Sequence, residues 1–256
     1  MKFCVLGSGS RGNSTYVETE GGGILIDAGF SGKEIARRLA IIGRSPDRLQ
    51  AILVTHEHND HIAGVGVLSR RYHLPVYANS ATFGASEKKL GKVFEFREFS
   101  TGAGFRIADF AIHPFAVSHD TADPVGFVIQ SGGRSLGYCT DTGKITKLME
   151  HLLGRCHGLV LEANHDPEML QAGPYPLPLK QRVRSNMGHL ANGDAASLVR
   201  RLGDGPLQAL VLAHLSETNN HPDLVVQAIR HGCNGMRQCL EPVLAEQSAP
   251  GPLLSV

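Results

Sequence analysis

Thr55-His56-Glu57-His58-Asn59-Asp60-His61-Ile62 packs three histidines and an aspartate into six positions, directly behind the apolar run Ala51-Ile52-Leu53-Val54. The apolar run reads as a short buried strand, so the metal-capable groups fall where that strand ends. Crowding them at a strand-to-helix turn costs folding free energy unless a cation is held there, because unpaired buried polar groups are expensive. His56 and His58 are two apart, so on extended backbone their rings point the same way. Asp60 and His61 lie beyond the bend and face a second position. Imidazole with carboxylate suits Zn, Mn or Fe better than Mg or Ca. The stretch predicts a site for two divalent metal ions.

The surrounding composition is that of an enzyme rather than a scaffold. A chain of 256 residues, 42% hydrophobic and with 30 glycines, has the size of one large α/β domain or two small ones. A formal net charge of +1 gives no field from which nucleic-acid binding follows, although a local basic rim would suffice. Five cysteines, Cys4, Cys139, Cys156, Cys233 and Cys239, form no Cys-x-x-Cys pair, which argues against a thiolate zinc site and for thiols of a reducing cytoplasm. Met1 to Leu6 leads straight into a strand without the features of a signal peptide. No apolar run approaches the ~18 residues of a membrane span. The expected location is the cytoplasm.

Strands are expected at Phe3–Leu6, Thr15–Glu18, Gly23–Asp27, Phe94–Phe99, Phe105–Val117, Val125–Ile129, Leu136–Thr140, Gly158–Glu162 and Ala209–Leu212. Helices are expected at Gly32–Ile42, Ala63–Tyr72, Ser80–Leu90, Ile145–Leu153, from a cap at Asn192 to Leu202, and at Pro222–Arg230. Strand ends at positions 54, 117, 140, 161 and 212 are each followed by His, Asp or Glu chemistry, which implies that they meet on one rim. The loop Gly7-Ser8-Gly9-Ser10-Arg11-Gly12-Asn13-Ser14 reads either as a tight turn or as a cradle for an anion, with Arg11 adding charge. Asp27 either orients a ligand histidine or caps a helix. Residues 246–256, rich in Pro, Ser and Gly, read as a frayed, flexible tail.

His-x-His-x-Asp-His behind a buried strand, followed by His119, Asp141 and His214, resembles the metallo-β-lactamase superfamily over nearly the whole chain. The resemblance implies one αββα sandwich over residues 1–245, an α/β (α+β) four-layer fold with the metal site at the edge of two sheets. It places His56, His58 and His119 around a first metal, Asp60, His61 and His214 around a second, and Asp141 between them. Leu161-Glu162-Ala163-Asn164-His165-Asp166, Lys180-x-Arg182-Val183, Gly188-His189-Leu190-x-Asn192 and His214-Leu215-Ser216 resemble the WalJ/YycJ-type group, described as DNA-processing and 5′-to-3′ exonucleolytic. Glu162 and His189 resemble the acid–histidine pair of RNase Z enzymes. The interval from Asp141 to His214 is too short for the inserted cap of β-CASP nucleases, and no exosite arm of the RNase Z kind is evident.

Two cations that clamp an in-line displacement, with a bridging hydroxide as nucleophile, suit hydrolysis of an anionic phosphodiester. Asp60, His189 and Glu162 are then the catalytic residues, His189 protonating the leaving oxygen while Glu162 fixes its tautomer. Ser8, Ser10, Arg11, Asn13, Lys180 and Arg182 are the expected substrate contacts, and Arg184 a further phosphate contact, with Arg11, Lys180, Arg182 and Arg184 expected in loops that flank the motifs. The expected partner is nucleic acid, DNA ahead of RNA, with the oligomeric state open and a homodimer among the alternatives. His165 is expected to support the site by hydrogen bonding, and His73, His113, His151, His157 and His231 to lie at the surface or in packing. The rival readings are a hydrolase of small carbonyl substrates (lactone, thioester or β-lactam), an enzyme for small cyclic phosphodiesters, or a non-catalytic adaptor. The adaptor is disfavoured because structural zinc sites are normally closed single-metal tetrahedra.

Overall fold

The structure is a computed structural model, which describes residues 1–203, 205–234 and 240–256; Cys239 lies outside them. The first half of the chain runs β1 (Lys2–Gly7), β2 (Ser14–Thr19), β3 (Gly22–Ile26), α1 (Gly32–Ile41), β4 (Leu49–Leu53), α2 (Asn59–Ile62), α3 (Val65–Tyr72), β5 (Pro75–Ala78), α4 (Ser80–Leu90) and β6 (Glu95–Glu98). The second half runs β7 (Phe105–Ile107), β8 (Phe110–Ala116), β9 (Val125–Ser131), β10 (Arg134–Cys139), α5 (Lys147–Leu153), β11 (Gly158–Glu162), α6 (Pro167–Ala172), α7 (Leu177–Val183), α8 (Asn192–Leu202), β12 (Ala209–Ala213), α9 (Pro222–Gly232), β13 (Val243–Leu244) and β14 (Leu254–Ser255). Among the described residues there are two seven-stranded sheets, β14-β1-β2-β3-β4-β5-β6 and β13-β12-β11-β10-β9-β8-β7, the six strands of the first half being completed by β14 from the chain's end.

Alternation along the strands divides the apolar residues between three clusters. Ile24, Ile26, Ala51 and Leu53 meet Phe110, Ile112, Phe127 and Ile129 between the sheets. Leu25, Ile52 and Val54 point the other way, against Ile35 and Leu39 of α1 and Val65 and Leu68 of α3. Cys139, Leu159 and Leu161 do the same against α5 and α8 on the far side. β3, β4, β11 and β12 lie in parallel pairings with both faces covered, so they read as continuous apolar runs rather than alternating ones. The result is the four-layer αββα sandwich, with its strand ends presented along one edge.

Four expectations are corrected. Residues 105–117 form a hairpin, β7 turning into β8 through Ala108 at φ 45°, because an Ala-Asp turn interrupts what reads as one alternating run. The helix expected over 63–72 starts only at Val65, as α3; a separate short α2 precedes it, and between them Gly64 N–H donates to Ala28 O at 2.7 Å. Lys180 and Arg182 lie on helix α7, started by Pro176, and not in a loop. Asn192 is the first residue of α8, its cap being Ala191.

The tail is the largest difference. Leu254 and Ser255 pair antiparallel with Phe3 and Lys2 as strand β14, and Gly251 N–H donates to Val5 O. Arg38 is buried and gathers this segment. Its guanidinium donates to Leu6 O at 2.7 Å, Gln247 O at 3.0 Å and Ser248 O at 3.3 Å, while its Nε bonds Glu34. Tail carbonyls and an open edge of β1 satisfy each other, which composition alone does not reveal.

Candidate metal centre

The ends of β4, β8, β10, β11 and β12 converge on one rim and deliver His56 and His58, His119, Asp141, Glu162 and His214. Three residues there hold the left-handed backbone conformation that L side chains avoid: Asp27 at φ 59°, Asp141 at φ 56° and His214 at φ 56°. Such a conformation costs on the order of 1–3 kcal/mol at a non-glycine residue and persists where surrounding bonds over-determine it. Each of the three directly follows a strand or lies two residues past it, so the turn swings the side chain across the rim. Gly29 locks the motif in place. A Cβ there would stand 1.7 Å from Asp60 O, and its N–H donates to Asn13 O while Asn13 N–H donates to Asp60 O at 2.7 Å.

Candidate ligand atoms within 4.8 Å of one another form His56/His58/His119 and Asp60/His61/His214; Asp141 joins His56 and His61 in one further group and Glu162, His189 and His214 in another. His56 Nε2, His214 Nε2 and Asp141 Oδ2 are buried without a hydrogen-bond partner. A buried unpaired polar atom costs ~1–3 kcal/mol, and three of them aimed at shared space are what a bound cation resolves. The donor set, imidazole and carboxylate, fits divalent transition ions.

Hydrogen bonds behind the rings assign their tautomers. Asp27 is fully buried and accepts from His61 Nδ1 at 2.7 Å and from Thr55 N and Oγ1, both at 2.8 Å. The Thr55 hydroxyl spends its proton on Asp27, so it accepts from His56 Nδ1 at 3.0 Å and leaves His56 Nε2 for a cation. His119 Nδ1 donates to Gly188 O at 3.1 Å. Glu162 Oε1 accepts from both His189 Nδ1 at 2.8 Å and His214 Nδ1 at 3.0 Å, while Oε2 accepts from Thr142 N and Leu190 N. Asp27 therefore orients His61, a candidate ligand, and among the described residues caps no helix.

The electrostatics follow these contacts. Burial pushes His61 down, but the charges of Asp141 and Asp27 outweigh it and raise its pKa to about 9. His214 is likewise carried well up against burial by Asp141, Asp60 and Glu162. His56 goes the other way, lowered well below the usual histidine range by burial and then by the neighbouring His61 and His119. Burial opposes ionisation of Glu162, yet His189 and His214 hold it well below the usual carboxylate range.

The expected substrate contacts divide. Ser8 and Asn13 are buried and turned inward: Ser8 Oγ donates to Asn13 Oδ1 and accepts from His214 N, and Asn13 Nδ2 donates to Asp60 Oδ2 at 3.1 Å. They position ligands, because burial leaves no room for substrate. Ser10 is exposed. Arg11 pairs with Glu217, Arg182 grips Asp120 with two bonds at 2.6 and 2.9 Å, and Lys180 Nζ donates to Gln171 O. His165 is buried, with its Nδ1 making no hydrogen bond, so the supporting bond expected of it is absent on that nitrogen. Thr55, the Gly188 carbonyl and an amide network were not anticipated. In that network Asn220 Nδ2 donates to Ala163 O, Asn164 O and Asn192 Oδ1, while Asn164 Nδ2 donates to His214 O. Asn164 and Asn192 stand inside motifs, which was the available signal; Asn220 carried none.

Comparison with known proteins agrees with this geometry. The profile of the beta-lactamase superfamily domain matches residues 23–215. Exodeoxyribonuclease WalJ of Streptococcus pneumoniae is 44% identical over 229 residues, covering 88% of this chain and 85% of the relative. Exodeoxyribonuclease YycJ of Bacillus anthracis is 39% identical over 231 residues, covering 90% and 88%. The solved structure of YhfI from Bacillus subtilis, a metallo-β-lactamase-fold protein, superposes with a TM-score of 0.75 at 17% identity over 98% of both chains. The chain belongs to the metallo-β-lactamase superfamily of metal-dependent hydrolases.

Proposed function

We propose that this protein is a phosphodiesterase acting on DNA, exonuclease-like with 5′-to-3′ direction, and that it works with two divalent ions per chain, Zn, Mn or Fe. The observation that carries the reading is His189. It lies outside the seven-residue ligand set, its Nδ1 is committed to Glu162 at 2.8 Å, and its side chain is 15% exposed while that of Asp141 is 3% exposed. A ring so tethered presents Nε2 to the rim, where a substrate's leaving oxygen would lie. The names of the relatives, both exodeoxyribonucleases, support the same substrate class.

His56, His58 and His119 would hold one ion, Asp60, His61 and His214 the other, with Asp141 shared. Bound there, the ions supply an activated water and neutralise charge developing on the phosphoryl group. The protein's own part is positional and acid–base. With Nδ1–H given to Glu162, the neutral ring of His189 leaves Nε2 bare; Nε2 takes up a proton from solvent, Glu162 is the counter-charge of the cationic ring, and that Nε2 proton is the one passed to the leaving oxygen. Asp27 and Thr55 do the same orienting work for His61 and His56. Arg11 and Arg182 sit in exposed ion pairs worth only ~0–1 kcal/mol, so a substrate phosphate can compete for either guanidinium. Among the described residues no helix is long and apolar enough to cross a membrane, which fits a nucleic-acid enzyme of the cytoplasm.

The test is a side-by-side assay with defined metals on 5′-phosphorylated single- and double-stranded DNA, RNA, a bis-aryl phosphodiester and a lactone. DNA should be degraded fastest, from its 5′ end. Turnover of the lactone with every phosphodiester left intact would replace this reading by the carbonyl hydrolase.

A further inference from the structure

The outer, helix-facing side of the second sheet is left bare at the end opposite the metal centre. Arg106, Ala111, Gln130 and Ser135 are direct cross-strand partners on β7, β8, β9 and β10, so they form one row on one face. Val128 of β9 and Cys139 of β10 lie on that same face by parity and are covered by helices; of this row only Ser135 is buried, under Arg155 and His157, while Arg106 and Gln130 are exposed. The row floors a cavity of about 440 Å³ walled by Arg134, Arg155, His157 and the hairpin glycines Gly132 and Gly133. Asp109 is the sole carboxylate in the lining.

Three exposed guanidiniums share this cavity, and among the described residues none of them makes a side-chain hydrogen bond or ion pair. Other exposed arginines are matched, as in Arg37–Glu34, Arg97–Glu95 and Arg230–Glu241, or stand unpaired and apart, as Arg71, Arg184 and Arg200 do; this cavity gathers three unpaired ones in one lining. Three arginines against one aspartate concentrate positive charge in a protein whose formal net charge is only +1. The floor is small or polar, and a Cβ at Gly132 or Gly133 would meet nothing, so an anion reaches backbone as well as guanidinium. Guanidinium forks recognise phosphate oxygens in pairs. β10 runs from Arg134 at this end to Cys139, just before Asp141 at the other, which separates the two sites by roughly 20 Å at ~3.3 Å per residue. That exceeds the ~8–10 Å over which exposed charges are felt at physiological salt, so the cluster acts by contact and not through its field at the metal centre.

We infer that Arg106, Arg134 and Arg155 form a second phosphate-binding site, which holds the backbone of the DNA substrate away from the end being cleaved. The inference rests on the proposed DNA substrate and adds a second point of grip. A duplex rises ~3.4 Å per base pair, so about six pairs span the gap; shorter substrates engage the metal centre alone.

The experiment compares wild type with Arg134→Ala/Arg155→Ala, both positions exposed and remote from the catalytic rim. Anisotropy of labelled duplexes of 4 to 30 base pairs is followed against salt, alongside hydrolysis of a bis-nitrophenyl phosphodiester and calorimetry with tripolyphosphate. The double variant should bind long duplexes about 5- to 20-fold more weakly, with a salt slope shallower by about two. It should match wild type on the shortest duplex and on the small diester, whose unchanged turnover also shows that the variant is folded. Equal affinity and slope on long duplexes would overturn the inference while leaving the proposed function standing. Loss of tripolyphosphate binding without any change for DNA would assign the site to free polyphosphates instead and overturn it as a strand grip. Absence of DNA binding by wild type would overturn both readings.

Discussion

His61 and His214 each turn one ring nitrogen toward the second cluster while a buried carboxylate, Asp27 or Glu162, takes the other. His56 and His119 of the first cluster are backed by a hydroxyl and a backbone carbonyl. The residue types facing the centre are nearly the same, yet the proton affinities separate: His61 and His214 are raised, His56 and His58 lowered. Against burial, Asp141 raises His61 and His214 most, and the carboxylates behind the rings, Asp27 and Glu162, add to it, while burial lowers His56 and His58, which have no such backing. A cation at the second cluster would therefore have to displace protons from His61 and His214, which His56 and His58 of the first do not hold.

Removing Asp141 should erase the difference and have the largest effect. It faces both clusters and its Oδ2 makes no hydrogen bond, so Asp141→Ala should lower bound metal to about one ion or fewer per chain and abolish hydrolysis of every substrate. Elemental analysis finding two ions retained would break the shared-ligand assignment. Next in size is the backing itself. Asp27→Asn should weaken ion binding at the second cluster by about 10- to 100-fold and at the first by less, since it reaches His56 only through Thr55, read by competition with a chelator. Glu162→Gln should do likewise and also slow DNA cleavage, because one oxygen serves both His214 and His189. A uniform loss of both ions in Asp27→Asn would show that the clusters are not independently supported.

The smallest effect is on stability. In chelator-treated protein His61 titrates near 9, above its unfolded value of ~6.5. A folded-state pKa raised in this way contributes stability fully present below ~6.5 and lost as the pH rises through about 9. Melting temperature of the metal-free protein should therefore fall between those values, and Asp27→Asn should flatten the fall. Metal-loaded protein should not show it, since ligation already requires neutral rings.

How far the sequence reached depends on whether a feature is local. His56, His58, Asp60 and His61 sit close together in the chain, and buried runs such as Ala51–Val54 announce their strands, so this candidate cluster and the sheet core are legible locally. The four-layer fold and the distant ligands His119, Asp141 and His214 came from the resemblance of the motifs. What escaped was long-range satisfaction. Arg38 collects carbonyls from residues 6, 247 and 248, which turns an expected tail into an edge strand. Ser8 and Asn13 were read as substrate contacts because polar loop residues are usually outside, whereas backbone clamps from Asp60 and His214 draw them in. The second role of Glu162, under His214, depends on a left-handed turn at position 214 that no local pattern marks.

The most direct measurement is the leaving-group dependence of His189→Ala. An acid is needed where the departing oxygen is a basic sugar hydroxyl and hardly at all where it is a nitrophenolate. His189→Ala should therefore slow DNA cleavage by about 10²–10⁴-fold, the usual worth of a positioned acid, while sparing a nitrophenyl diester far more and keeping both ions bound. Equal loss on both substrates together with lowered metal content would contradict the account and make His189 a ligand or scaffold residue.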